Sequence, residues 1–285
     1  MPPAEAIQAS PGSAGAPNTD KDTGEPVETA PPATVVARLL AQPDAPARRL
    51  LCERYIAARD PDALLKALKA ESERLWHADP HGSLRAAEAL IEGAALAGRP
   101  DHGALGLMAR ADAFRLLGRF PEALPQFEAA ARAFLALGDE VGWARTRIGW
   151  LHAMHYLGRA EEALPVAEEA RDALIRHGER LRAAALDVNT AIVCKELGRY
   201  GRALTLYDRA LDVYAGLGPS AELPAARARA NKAFLLAHRG DFQAALAEVE
   251  RGAETVVVTG SFHTVGDAMD RLGLAPFGVS APAVA

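Results

Sequence analysis

The sequence predicts an all-α solenoid of stacked helical hairpins, and three observations carry that prediction. Gly98, Gly138, Gly178 and Gly218 recur every 40 residues. Gly118, Gly158 and Gly198 form a second set with the same spacing, interleaved with the first and continued two residues late by Gly240. The residues flanking the second set repeat as well. Leu117-Gly118-Arg119-Phe120, Leu157-Gly158-Arg159-Ala160 and Leu197-Gly198-Arg199-Tyr200 align without gaps, and His238-Arg239-Gly240-Asp241-Phe242 is a fourth version. A fixed period of this size marks supersecondary units that stack on one another.

The first segment, residues 1–33, is Pro, Ala, Gly, Ser, Thr and acids with almost nothing to bury. Such a stretch cannot offset its ordering entropy, and it is expected to be disordered. Val35, Val36, Leu39 and Leu40 then make an apolar stripe ending before Pro43. Leu50, Leu51, Tyr55 and Ile56 make another, closed by Asp60-Pro61. These read as two helices leading into the array. Within the array each glycine sits where a left-handed residue ends a helix. Five residues after each second-set glycine comes one dipeptide: Ala123-Leu124, Ala163-Leu164, Ala203-Leu204 and Ala245-Leu246. Phe127 and Tyr207 follow one turn on, and Ala130, Ala170 and Ala210 one turn beyond. The inner face is thus small, large, small, and a hairpin with such a face must stack to bury it.

Ser83, Leu84, Ala87 and Gly98 form a weaker copy 40 residues before Ala123, Leu124, Phe127 and Gly138. The expected domain therefore spans 34–252, with four full hairpins and a fraying fifth. Pro125 and Pro165 are expected in the first turns of their helices, where a missing N–H has no partner to lose. Pro219 and Pro224 occupy the one connection that is two residues longer.

After Arg251 the periodicity stops. Glu254 to Thr259 is β-branched, Gly260-Ser261 is a turn, and Thr264 to Leu274 carries Val265, Met269 and Leu272 on one side. Residues 253–285 are therefore expected to form a strand–turn–helix tail separate from the repeats. A lone strand there also offers an edge for self-association.

Composition narrows the functional classes. A formal net charge of −5 is no footprint for phosphate backbones, so no nucleic-acid partner is expected. No apolar run reaches signal-peptide or membrane-spanning length, and the two cysteines, Cys52 and Cys194, make no disulfide framework. A cytoplasmic protein without a membrane partner is the expectation.

The hairpins resemble tetratricopeptide repeats. That family's Ala–aromatic–Ala pattern is met by Ala123, Phe127 and Ala130 and by Ala203, Tyr207 and Ala210, and its early Asn by Asn189 and Asn231. Ala167 replaces the aromatic in one repeat, and another has Val249 and Gly252. The period exceeds the family's usual length of about 34 residues. In this it is similar to bacterial signalling arrays fused to caspase-like CHAT peptidases or transcriptional activators. The resemblance implies a right-handed superhelix with a concave, peptide-binding groove. Its groove positions fall on Met108, Asp112, Arg115, Arg145, Ile148, His152, His155, Val188, Ile192, Lys195, Arg227 and Phe234. That mixed surface suits an extended or helical peptide with acidic and hydrophobic residues.

Other candidate chemistry is sparse. His152 and His155 share a helix face but lack the further ligands a metal site needs. His77 and His81 are separated by a new helix start at Pro80. Cys194 falls at a packed position, and Cys is among the most buried residue types. Glu161-Glu162 and Glu168-Glu169 read as solvated faces. The stretch Val258 to Val265 (Val-Thr-Gly-Ser-Phe-His-Thr-Val) is similar to the C-terminal end of folylpolyglutamate/dihydrofolate synthases. The phosphate-binding loop of those enzymes is absent, so His263 acquires no role. The expectation is a non-enzymatic interaction scaffold with no cofactor, no metal and a protein or peptide partner. The alternatives are a truncated or fused relative of the synthases, and a sensor array detached from a CHAT peptidase or regulator.

Overall fold

The computed structural model describes residues 26–250. Among these the chain forms twelve α-helices and no strand. Two leading helices, α1 (Pro32–Ala41) and α2 (Ala45–Ala58), precede four hairpins. These are α3 (Pro61–Arg74) with α4 (Pro80–Leu96), α5 (Pro100–Leu116) with α6 (Phe120–Ala136), α7 (Glu140–Tyr156) with α8 (Ala160–Arg176), and α9 (Arg180–Glu196) with α10 (Tyr200–Ala215). A 3-10 turn, Gly218–Ala221, takes up the longer connection before α11 (Glu222–His238) and α12 (Phe242–Glu250).

The glycine ladder has a direct structural cause. Gly118 adopts φ +71°, and its seven counterparts lie between +63° and +81°. At that backbone conformation the Arg119 N–H reaches the Phe114 carbonyl at 2.9 Å and the Gly118 N–H reaches Arg115 at 3.1 Å. This pair of bonds closes the helix end, and Arg159 to Met154, Glu179 to Leu174 and Arg199 to Cys194 repeat it. The chain leaves each helix at one angle, so each hairpin repeats the last.

Packing fills the space between hairpins as the sequence pattern requires. Ala123, Ala163 and Ala203 are wholly buried, as are Phe127 and Tyr207 to within 1%. Successive first helices touch one another, α3 with α5, α5 with α7, α7 with α9 and α9 with α11. No two successive second helices come comparably close. The first helices therefore form the inner, concave layer and the second helices the outer one.

Three expectations need correction or placement. Residues 26–33 are not uniformly unstructured: Val27 and Ala30 are buried against Val35, Leu39 and Tyr55, because the turn at residues 27–29 folds them onto the leading helices. Pro125 and Pro165 lie inside α6 and α8, past the first turn, because those helices begin directly after the glycine turns. Both prolines are exposed, so the freed carbonyls of Pro121 and Glu161 face water. The expected strand–turn–helix tail lies outside the described residues.

Candidate functional site

The inner layer presents one turn-spaced face of each first helix. On α5, Asp112 Oδ1 accepts from Arg115 Nε at 3.1 Å. Burial pushes the Asp112 carboxyl above its usual range, with Arg115 opposing. Helix α7 lies directly on this pair: a Cβ on Gly149 would come 2.4 Å from Phe127 and 2.9 Å from Asp112 Oδ1. Only glycine permits that approach. Met108 takes no part in the face; it is 5% exposed and packs with Ala104, Ala130 and Phe134.

Along α7, Arg145, Ile148, His152 and His155 follow one another at helical spacing. Arg145 is partly buried and makes no hydrogen bond or ion pair among the described residues. Burial, and then the Arg182 guanidinium, hold it below its ordinary value. Ile148 receives a bond across the seam, its carbonyl accepting from Asn189 Nδ2 at 3.3 Å.

His152 sits among aromatic rings, 5.7 Å from Phe120 and 4.7 Å from Tyr156. Its Nδ1 is buried without a hydrogen-bond partner. Burial, with Arg115 and His155 adding repulsion, pushes its pKa down to about 4, so the ring is neutral at pH 7. His155 meets Tyr156 edge-on at 5.3 Å.

On α9, Val188 and Ile192 are partly buried against the core, and Lys195 Nζ lies 5.1 Å over the Phe234 ring. Phe234, on α11, is itself 64% exposed, and Arg227 stands exposed on the same helix.

The structure thus gathers His152, His155 and Ile192 with Tyr156, Asn189, Val193 and Glu196 around a cleft of about 290 Å3 between α7 and α9. Arg115 is near enough to repel a proton from His152, but Asp112, Arg115, Arg145 and Arg227 are not among the residues that line the cleft. Sequence reasoning missed Val193 and Glu196 in the lining, and Phe120 behind it, whose ring stacks on Tyr156. Glu196 was within reach of the period, being 40 residues after Tyr156. Phe120 was not, because it enters from the start of a second helix.

Chemistry beyond binding is poorly provided. Among the described residues no group of three His, Cys, Asp or Glu side chains could hold a metal. Cys52 and Cys194 are buried, and burial pushes the Cys52 thiol up to about 11 and Cys194 upward too. Neither offers a thiolate at neutral pH. No helix of the described residues is long and apolar enough to cross a membrane.

A solenoid of stacked helical hairpins defines a helical-repeat protein. The profile of the soluble NSF attachment protein (SNAP) family matches residues 104–259, more than half the chain, and the chain belongs to that family. The match runs past residue 252, through the first residues of the expected tail. Among solved structures, the crystal structure of BtubC (BKLC) from P. vanneervenii is similar in fold. It is 18% identical, at a TM-score of 0.54, over 89% of this chain and 96% of that chain. No curated protein matches. These likenesses are to a repeat fold of the tetratricopeptide kind; none is to CHAT-associated arrays or to folate synthases.

Proposed function

We propose that this chain is a non-enzymatic adaptor that holds a protein partner along its concave face. The family's name describes attachment proteins, and the present chain takes that role toward a partner whose surface suits its own groove. One observation carries the reading: the inner helices keep large aromatic side chains in water, Tyr156 at 60% and Phe234 at 64% exposed. Exposed aromatics are common anchors at protein interfaces. The groove on this reading runs from Asp112 and Arg115 on α5 to Arg227 and Phe234 on α11, and it requires no cofactor.

Site-specific photo-crosslinking tests it. A benzophenone amino acid at Arg227 or Phe234, in cells that express the full chain, should give discrete protein adducts. The same group at Glu169 or Asp212, both exposed on the outer helices, should not. Adducts that arise equally from both layers, or only from the outer one, overturn the groove as the binding face.

A further inference from the structure

One joint of the array is built unlike the rest. At seven of the eight left-handed glycines the next residue's N–H returns to the carbonyl five residues back, as Arg199 does to Cys194 at 2.8 Å and Asp241 to Leu236 at 2.9 Å. After Gly218 comes Pro219, which has no N–H to give, so the bond that closes the other helix ends cannot form. The connection there is also two residues longer, carries a second glycine at Gly216, and runs through the 3-10 turn Gly218–Ala221.

The packing beside this joint is thin. From residue 221 onward the chain contributes only Ala221, Ala225 and Ala228 to the cluster around Tyr214 and Ala184. One repeat earlier the counterpart of Ala228 is Leu186, wholly buried; an alanine there removes much less apolar area from water. In α9, buried Asp187 ties α8 to α10 by accepting from Arg171 Nε at 3.1 Å and Arg209 Nε at 2.8 Å. Its counterpart in α11 is Arg229, which makes no hydrogen bond or ion pair among the described residues. Arg229 instead lines an open cleft of about 690 Å3 with Tyr214, Pro219, Leu223 and Ala226.

The far end of α11 is held firmly. Leu235 joins the main core, and Leu236 packs with Ala245 and Val249. Lys232 Nζ bonds Asp208 of α10 and Glu248 of α12, each at 2.6 Å. Phe234 lies under Lys195 of α9. Helix α11 is thus fixed to its neighbours near residues 232–236 and loosely seated at its start, about 18 Å away along the helix, where a tilt of about 10° is a movement of about 3 Å.

We infer that α11 and α12 form a movable jaw: the pair pivots about the Lys232 and Leu235 contacts, with residues 216–221 as the hinge, and opens or closes the cleft over Tyr214. The motion carries Arg227 toward or away from α9 while Phe234 stays beside Lys195, so the inner face is adjustable in width at this end of the array. The inference assumes no partner and stands apart from the groove reading.

Double electron–electron resonance on the full chain reads the motion. Spin labels at Leu181→Cys with Leu223→Cys span the loose edge, and labels at Glu196→Cys with Arg239→Cys span the held edge; all four positions are exposed. Cys52 and Cys194 are buried and stay unlabelled. The loose-edge distance distribution should be about twice as broad as the held-edge one. Deleting Pro219 and Ser220 restores the 40-residue period and puts Ala221, with its N–H, directly after Gly218. That variant should narrow the loose-edge distribution to the held-edge width, with helical content checked by circular dichroism. Equal widths in the unaltered chain overturn the jaw, whatever the deletion does. A loose edge that stays broad in a folded deletion variant overturns the assignment of the hinge to residues 216–221.

Discussion

The ring of Tyr156 lies flat on that of Phe120, with centroids 4.4 Å apart and planes within 11° of parallel. The two belong to different hairpins' joints: Phe120 begins the second helix of one, and Tyr156 ends the first helix of the next. Tyr156 is thereby pinned in place although it is largely in water, an aromatic surface presented at little further entropic cost.

Removing that support should loosen the presented ring without unfolding the array. Phe120→Ala is expected to destabilise by about 2–3 kcal/mol, since Phe120 is only partly buried. Tyr156→Ala should cost about 1 kcal/mol or less. Urea titrations of the two variants give the comparison, and a larger loss from Tyr156 would contradict the arrangement.

The hairpin interface should be intolerant where the outer face is not. Ala203 is wholly buried, and Ala203→Glu drives a charge where only a methyl fits, at a cost of about 3 kcal/mol or more. Glu161 is exposed and bonds Arg199 at 2.8 Å across the outer helices. Exposed pairs contribute little, so Glu161→Ala should change stability by no more than about 0.5 kcal/mol. Similar midpoints for the two variants in thermal unfolding would contradict this packing.

Two glycines should fail for different reasons. Gly118→Ala meets no neighbouring atom, but it forces a side chain into φ +71°, for about 1–2 kcal/mol. Gly149→Ala gains helix propensity yet drives its Cβ into Phe127 and Asp112, for a net loss of about 1–2 kcal/mol. Nuclear magnetic resonance should separate them, with shifts at Phe127 and Asp112 only in the second.

Stability should fall with acid in a window set by His152. Its folded pKa of about 4 lies below the ordinary 6.5, so the unfolded chain takes up the proton first. The stabilisation is complete above pH 6.5 and is lost as the pH falls toward 4. Asp112, with its carboxyl raised, works in the opposite direction and softens the slope. His152→Phe should flatten the dependence of melting temperature on pH between 6.5 and 4.5. An unchanged slope would show that the ring is not desolvated.

The period made the hairpins, their order and the buried Ala and aromatic positions legible, because one backbone conformation at each glycine fixes where every helix ends. It was silent where neighbours act through space. Met108 sits at a groove position by period, yet it turns into the core because small Ala104 and Ala130 leave room beside Phe134. The cleft was half visible: His152, His155 and Ile192 follow the repeat. Phe120, which backs Tyr156, does not, since that contact depends on how one helix start meets another helix end. The prolines misled for a related reason, as the helices begin two residues after the glycines, at Phe120 and Ala160 behind the N-caps Arg119 and Arg159, which puts Pro125 and Pro165 past the first turn.

Helices α4 to α9 are each 17 residues long and joined by turns of one geometry. The array is in effect a ruler with equal graduations. Duplicating residues 139–178 in frame would insert one rung with compatible surfaces above and below, and would lengthen the lined face by a fixed step. Gene duplication can therefore lengthen the array by whole rungs while leaving every other joint unaltered, and an engineer can do the same by cutting at the glycines.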